Sequence, residues 1–402
     1  MADRTGNGAQ PVCAAGGPDS MVAPGARPAP PGGPRACAGP KMAAPRAAAR
    51  LVLRAGGRAR PAPAPAGARL LCACPRKYEA VRGKARGATR AETEALRAAA
   101  GPLSAEQALR LLEASVVHRE GALVALSKPV GLPVAGGAGA GAGGLTSRPA
   151  AGSPGQLSLE ALLPQLSQRL ALSPELHIVR APGKESSGLV LLSTCHATTQ
   201  RLQEFFVRAR RTGRPPATYC AVTVGVPADS QGEIRTGLKL AQVGDARLVV
   251  PVAAPSQGSV ARKEVKKTRT CYTVLGSAHG CSLLQLQPVT AFSSQLLVHL
   301  TLLLCPALGD HVYSPRVGAV LGQSFLLPAE STPPCTQVLP KQVLDRLRLT
   351  QQQVHLLPLH LHLHQLQLPA VVLAAPPPPF FLRTLHCLGL PTHLEPQGGC
   401  RQ

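Results

Sequence analysis

The spacing of apolar residues predicts regular structure only in the later three quarters of the chain. Leu109, Leu112 and Val116 recur at helical intervals. Ser104 and Gln107, just before them, have the spacing of a capping box, in which each side chain bonds to the other residue's backbone N–H. This pattern predicts a short helix that begins after Ser104.

Further helices and strands follow in mixed order. Ser158 precedes leucines at helical spacing, 198–211 is amphipathic, and 295–305 has a helical pattern. Predicted strands cover 122–126, 188–192, 219–224, 272–275 and 282–287, and the basic stretch 262–269 is expected to be a loop. Because the strands and helices do not alternate strictly, the pattern favours the α+β class.

Aromatic residues restrict where a core can form. Only 2% of the 402 residues are aromatic, and nine of the ten lie between Phe205 and Phe381. This distribution excludes two packed domains of equal size. It also argues against a single-strand binder that relies on many stacked aromatic side chains.

The first part of the chain is strongly basic. The net charge is +23, and residues 1–90 hold sixteen Lys and Arg against three Asp and Glu. No acid occurs from Met42 to Tyr78, and Arg46, Arg50 and Arg54 would share one helical face. This composition predicts a mitochondrial presequence, with translation starting at Met42 or with 1–41 as disordered extra sequence.

The composition also suggests domain boundaries. We expect a disordered basic tail over 1–95, which contains the presequence, and one domain over 96–370. A Gly- and Ala-rich insert at 135–155 interrupts this domain, and a Pro-rich tail follows it over 371–402.

Neither a membrane span nor a metal site is expected. The longest apolar run, 296–308, is too short to cross a bilayer. The twelve cysteines include no Cys-x-x-Cys pair, so they are expected to be reduced thiols. His360, His362 and His364 would share one face of a strand. A metal site on that face is the alternative, but no other cluster of ligand residues accompanies the three histidines.

Five short motifs occur in the order that identifies a known family. The chain resembles the RluA-type pseudouridine synthases. Its residues 128–134 are similar to the family segment KPxGLxV, 186–192 to TSGLLLL and 219–225 to YxAxVxG. Residues 290–299 are similar to TGRTHQIRVH, and 308–313 to LGDxxYG. The resemblance covers roughly residues 119–365. It implies an α+β pseudouridine-synthase fold, with a mixed, mostly antiparallel sheet, flanking helices and a central RNA-binding cleft.

The resemblance also implies an activity. The family isomerises uridine in RNA to pseudouridine without a cofactor, after the nucleotide is flipped from its stack. For this chain it implies a mitochondrial matrix protein that acts on mitochondrial mRNA or rRNA in support of mitochondrial translation. RNA-processing or ribosome-assembly proteins are the protein partners to expect.

The family's nucleophile is missing. The Asp that ends the family's HRLD motif matches Gly183, and no Asp or Glu lies between Glu175 and Glu185. The Arg that pairs with this Asp is replaced by Leu297, and the TGR Arg by Phe292. Two hypotheses therefore remain: an RNA isomerase, which is the nominal assignment from the resemblance, and, as the alternative, a non-catalytic RNA-binding or mitochondrial ribosome-assembly protein on the same fold.

Other candidate site residues follow from the same motifs. Tyr219 matches the family's active-site Tyr, although an aromatic side chain in a strand core is the alternative. Gln295, His299 and Asp310 are expected to give structural support. Basic residues that could contact RNA phosphates, or could simply be solvated, are Lys128, Arg208, Arg210, Arg211, Lys263, Lys266 and Lys267.

Overall fold

The computed structural model describes residues 103–135, 157–172, 175–329, 332–392 and 394. The predicted basic tail and presequence lie outside the described residues, as does all of the 135–155 insert except its first residue. In the part of the chain that is described, no helix is both long and apolar enough to cross a membrane.

Seven α-helices and thirteen strands make up the described structure. The helices are α1 (Ala105–Ala114), α2 (Leu159–Arg169), α3 (His196–Arg211), α4 (Gln257–Ala261), α5 (Gln295–Leu302), α6 (Lys341–Leu347) and α7 (Pro379–Leu388). The strands are β1 (Val116–Glu120), β2 (Leu123–Lys128), β3 (His177–Arg180), β4 (Ser187–Ser193), β5 (Ala217–Val224), β6 (Gln231–Val243), β7 (Ala246–Val252), β8 (Lys266–Ala278), β9 (Cys281–Pro288), β10 (Val317–Val320), β11 (Gln323–Leu326), β12 (Leu361–Gln367) and β13 (Val372–Ala374).

One large sheet organises these elements. Its strand order is β1-β2-β4-β12-β5-β9-β8-β6-β7, with β3 beside β4 and β13 beside β12. All of the pairs are antiparallel except β4 with β12, which is parallel. The predicted α+β class with a mixed, mostly antiparallel sheet is confirmed.

Helices cover both faces of the sheet. On β4, Leu189 and Leu191 pack in one cluster with Phe206 of α3, whereas Val190 and Leu192 pack with α1 and α2. On β5, alternate residues pack toward α5 on one side and toward α6 and α7 on the other. Helices α3 and α5 therefore lie on one face, and α1, α2, α6 and α7 on the opposite face.

The helix starts agree with the capping residues in the sequence. The backbone N–H of Gln107 donates to Ser104 Oγ at 3.2 Å, and the N–H of Ser104 donates to Gln107 Oε1 at 3.0 Å. Ser158 Oγ accepts from the N–H of Ala161 at 3.2 Å. These hydrogen bonds confirm both predicted N-caps. Each bond satisfies a backbone donor that would otherwise be unpaired at the start of a helix.

The C-terminal segment differs from the predicted Pro-rich tail. Within 371–402, β13 pairs with β12, and α7 begins at Pro379. Pro is tolerated in the first helical turn, because the N–H that it lacks has no partner inside the helix. Phe381, Leu385 and Leu388 then recur at helical spacing and are fully buried. The domain therefore extends past 370, to at least Leu388.

The sequence predicts a loop over the basic stretch 262–269, but only its first part, 262–265, is one. Lys266 begins β8, which pairs with β6 from Lys266 to Thr273. The cations are accommodated because Lys266 and Lys267 are exposed where the strand begins.

A glycine allows close contact at the one parallel junction of the sheet. Gly188 has a φ of +118° and pairs with Leu363 of β12. A Cβ atom at this position would overlap the backbone of Leu363. Only glycine satisfies both the positive φ and this approach.

Gly188→Ala is therefore expected to destabilise the protein strongly. We expect a loss of about 3 kcal/mol or more in the free energy of unfolding, from steric overlap combined with backbone strain. The matched control is Gly183→Ala, whose Cβ meets no atom within 4 Å. Urea denaturation measures both variants, and equal midpoints would contradict the interpretation.

Candidate functional site

Tyr219 occupies the middle of the sheet, on the face that carries α3 and α5. It pairs with Leu363 of β12 on one side and with Leu286 of β9 on the other. Its half-buried ring packs against the apolar cluster that contains Phe206 and also against the cluster that contains Leu300. Tyr219 thus lies where the α3 and α5 packing surfaces meet, a place called here the Tyr219 seam.

The loop from β3 to β4 approaches this seam through the parallel junction. Gly188, which follows the loop, is in register with Leu363, and Leu363 with Tyr219. Two strand spacings, roughly 10 Å, therefore separate Gly188 from Tyr219. Gly183 is exposed, and its carbonyl accepts from the N–H of Ser186 at 3.2 Å.

The first acid of this loop faces solvent. Glu185 forms an ion pair with Lys184 at 3.7 Å, and its side chain is 64% exposed. A solvated and paired carboxylate is a poor nucleophile candidate, because positioning errors of about 1 Å already cost roughly 100-fold in rate.

A buried lysine holds the other side of the loop. Lys128 is 1% exposed, and its Nζ donates to the carbonyl oxygens of Pro129, Leu132 and Lys184 at 2.9, 2.9 and 3.1 Å. Burial lowers the pKa of Lys128 to about 7, while three carbonyl acceptors match the three donors of an ammonium group. Lys128 therefore positions the loop, and its predicted contact with RNA is wrong because its head group is enclosed.

Apolar side chains stand at two positions where the RluA-type motifs have arginines. Leu297 is partly buried and packs against clusters that contain Leu300 and Val298. Phe292 packs with the second of these clusters, which includes Tyr313. The α5 side of the seam is therefore apolar at these positions.

Gln295 and His299 tie α5 to β8. The Gln295 amide donates to Arg269 O and to Thr270 Oγ1 at 3.1 and 2.9 Å. His299 Nε2 lies 2.9 Å from Thr268 Oγ1, a hydroxyl that also donates to a carbonyl on β6. Because a hydroxyl has only one hydrogen to donate, His299 Nε2 is the donor in that pair. Burial lowers the pKa of His299 to about 4, so its ring is neutral.

Asp310 organises the turn after Leu308. Its Oδ1 accepts the backbone N–H groups of Val312 and Tyr313, both at 2.9 Å. Its Oδ2 is buried and has no hydrogen-bond partner within the described residues. Burial raises the pKa of Asp310 to about 6, although backbone hydrogen bonds from Tyr313, Val312 and Ser314 act to lower it.

The remaining predicted RNA contacts fall into two places. Arg208, Arg210 and Arg211 occupy the last turn of α3. Lys263 follows α4 in a left-handed conformation, and Lys266 and Lys267 begin β8. All six residues are exposed to solvent, although neighbouring atoms partly desolvate the charged groups of Arg210 and Lys266.

The three C-terminal histidines are held by hydrogen bonds. His360 bonds to Pro358 O and Thr384 Oγ1, at 2.8 Å each. His362 Nδ1 lies 3.0 Å from Ser187 Oγ, and His364 Nδ1 lies 2.9 Å from Ala375 O. Across the described ranges, no group of three or more His, Cys, Asp or Glu is arranged to hold a metal ion.

Comparison with known proteins gives the family. A family model described as RNA pseudouridylate synthase matches residues 122–302. The Homo sapiens mitochondrial mRNA pseudouridine synthase RPUSD3 is 53% identical over 296 residues, which cover 72% of this chain and 80% of that protein. The chain belongs to the RNA pseudouridylate synthase family.

More distant members agree with this assignment. The Mus musculus mitochondrial pseudouridylate synthase RPUSD4 is 33% identical over 298 residues, which cover 69% of this chain and 70% of that protein. The solved structure of human RNA Pseudouridylate Synthase Domain Containing 4 has a TM-score of 0.53 and 29% identity, and covers 70% of this chain and 95% of that chain. The pseudouridine-synthase fold expected from the motifs is confirmed.

One basic residue at the seam was missed by sequence reasoning. Arg180 ends β3, and its guanidinium carbon lies 4.9 Å from the centre of the Phe206 ring. The sequence shows a cation three residues before Gly183, but only the fold brings it over an aromatic ring of α3.

Asp310 should impose a measurable pH dependence on stability. Its pKa is higher in the folded state than the ordinary 3.8, so the folded state binds this proton more tightly. Protonation between pH 6 and pH 4 should therefore stabilise the wild type relative to Asp310→Asn, by up to about 3 kcal/mol.

Urea unfolding of both proteins from pH 7 to pH 4 measures this difference. The buried histidines titrate in both proteins, so their contribution cancels in the comparison. Parallel stability curves for the two proteins would contradict the proposed burial of an unpaired carboxylate oxygen.

Proposed function

We propose that the protein binds mitochondrial RNA, an mRNA or an rRNA, in the mitochondrial matrix in support of translation there. We further propose that it isomerises little or no uridine unaided. The observation that carries the proposal is the Tyr219 seam in a pseudouridylate synthase fold whose adjoining loop has Gly183 at the nucleophile position.

RNA binding is supported by the chemistry around the seam. Tyr219 offers a half-buried aromatic face, and single-stranded RNA is recognised largely through unstacked bases that stack on aromatic rings. Exposed cations occupy the end of α3 and the start of β8. Cations of this kind supply salt-dependent affinity for phosphates.

Weak isomerisation follows from the missing carboxylate. The family reaction needs an Asp to attack or to stabilise a cationic sugar centre. Gly183 has no side chain, and Glu185 is exposed and paired with Lys184. Leu297 replaces the arginine partner as well, so the change removes both members of an ion pair without leaving one charge stranded.

A second candidate function is uridine isomerisation itself. A relative with 53% identity is named a mitochondrial mRNA pseudouridine synthase. In this case a carboxylate from Glu185, or from a protein that takes part in RNA processing or ribosome assembly, would complete the site. The relatives' printed names also support the mitochondrial location.

An assay with two readouts tests the proposal. The full chain is mixed with a uridine-containing mitochondrial transcript, and RNA binding and the pseudouridine content of the RNA are both measured, the latter by mass spectrometry. We expect binding that weakens steeply with salt and no pseudouridine above background.

Paired variants show whether the missing groups explain the result. Gly183→Asp combined with Leu297→Arg restores a carboxylate and its partner, and is expected to form pseudouridine. Gly183→Asn combined with Leu297→Arg is the matched control without a carboxylate, and should form none.

Wild-type turnover would contradict the non-catalytic proposal. In cells, pseudouridine sites that vanish with the gene and return with wild type, but not with Tyr219→Phe, would favour the second candidate. Absence of RNA binding at low salt would contradict both functions.

A further inference from the structure

The end of α3 and the start of β8 lie together at one end of the sheet. Arg269 of β8 donates through Nη2 to the carbonyl of Gly213, just after α3, at 3.4 Å. This contact brings Arg210, in the last turn of α3, to the end of the sheet where Lys266 begins β8.

Arg180 joins this group from β3. Its guanidinium lies over Phe206 at 4.9 Å from the ring centre, a cation–π geometry. Phe206 and Arg210 are one helical turn apart on α3, so they share a face. Arg180 therefore approaches Arg210 from the side of the buried ring.

The three cations influence one another. Partial burial, followed by the charge of Arg180, lowers the pKa of Arg210. Burial, followed by the charge of Arg210, lowers the pKa of Lys266. Both directions agree with three like charges held close together.

Neighbouring arginines have acidic partners, whereas these three cations do not. Arg262 pairs with Glu264 at 2.7 Å, and Arg269 pairs with Glu233 at 2.9 Å. Within the described ranges, no carboxylate lies within ion-pair distance of the cluster. The Nζ of Lys266 donates to Ala291 O at 2.8 Å, which fixes its position without neutralising its charge.

The cation cluster of Arg180, Arg210 and Lys266 borders the Tyr219 seam. Phe206, under Arg180, belongs to the apolar cluster against which Tyr219 packs. On β8, Lys266 alternates with Thr268 and Thr270, whose hydroxyls bond to α5. Lys266 therefore points to the same face of the sheet as Tyr219.

We propose that Arg180, Arg210 and Lys266 form a binding site for one backbone phosphate of the RNA strand that enters the Tyr219 seam. The inference rests on the proposed RNA-binding function and assigns it a particular contact. A phosphate suits the cluster because it supplies the missing negative charge and several acceptors, which planar guanidinium groups bind in a bidentate way.

Charge-neutral variants test this site. Arg180→Gln, Arg210→Gln and Lys266→Gln are compared with Arg346→Gln, which removes the same charge from an exposed position of α6, on the opposite face of the sheet. Binding of a uridine-containing single-stranded RNA is followed by fluorescence anisotropy at several salt concentrations, and thermal unfolding checks that each variant is folded.

Each cluster variant should weaken binding about fivefold or more and reduce the slope of log affinity against log salt by roughly 0.7, the value for one lost single-strand phosphate contact. Arg346→Gln should change affinity less than about twofold, as expected for one exposed charge on the face away from Tyr219. Folded cluster variants that behave like Arg346→Gln would overturn the phosphate site while leaving RNA binding intact.

A wild-type protein that binds no RNA would instead overturn the proposed function. A second arm replaces single RNA phosphates with uncharged methylphosphonates, one position at a time. At one position the cluster substitutions should cost no further affinity, because the contact is already lost. If the cluster substitutions still cause their full loss of affinity at every methylphosphonate position, the proposed phosphate site is overturned.

Discussion

The close approach of β4 and β12 at Gly188 determines how the rest of the molecule is arranged. This parallel pair joins the β1, β2 and β4 side of the sheet to the strands that carry Tyr219. The approach requires a residue without a Cβ at a φ of +118°. A hydrogen bond between the buried Ser187 and His362, 3.0 Å long, reinforces the same junction. Because the β3–β4 loop ends there, the junction also sets the distance from that loop to Tyr219.

Much of the fold could be predicted because the relevant signals are local. The caps at Ser104 and Ser158 and the helical periodicity of α3 depend on residues within a few positions of each other. The extent of the C-terminal segment could not be predicted in this way. A run of prolines is typical of a spacer, and only the buried packing of Phe381 shows that a helix follows it.

The motifs suggest members of the proposed site but do not indicate its electrostatics. The motifs indicate Tyr219 and the glycine at position 183, but not that Lys128 is enclosed by three carbonyls. They also do not show that Arg180 lies over Phe206. The contacts of Lys128 with Lys184 and of Arg180 with Phe206 join residues far apart in the chain, and a single sequence carries no signal for them. The Tyr219 seam has an aromatic side chain and a bordering cation, Arg180, whereas the adjoining loop has Gly183 where the family reaction needs a carboxylate.

Photocrosslinking tests this account most directly. RNA that contains 4-thiouridine is bound to the full chain, irradiated and digested, and the modified peptides are mapped by mass spectrometry. The account predicts adducts on β5 at Tyr219 and on the loop that contains Gly183, and these adducts should be lost when unlabelled RNA competes. Adducts confined to the opposite face of the sheet, around α6 and α7, would contradict it.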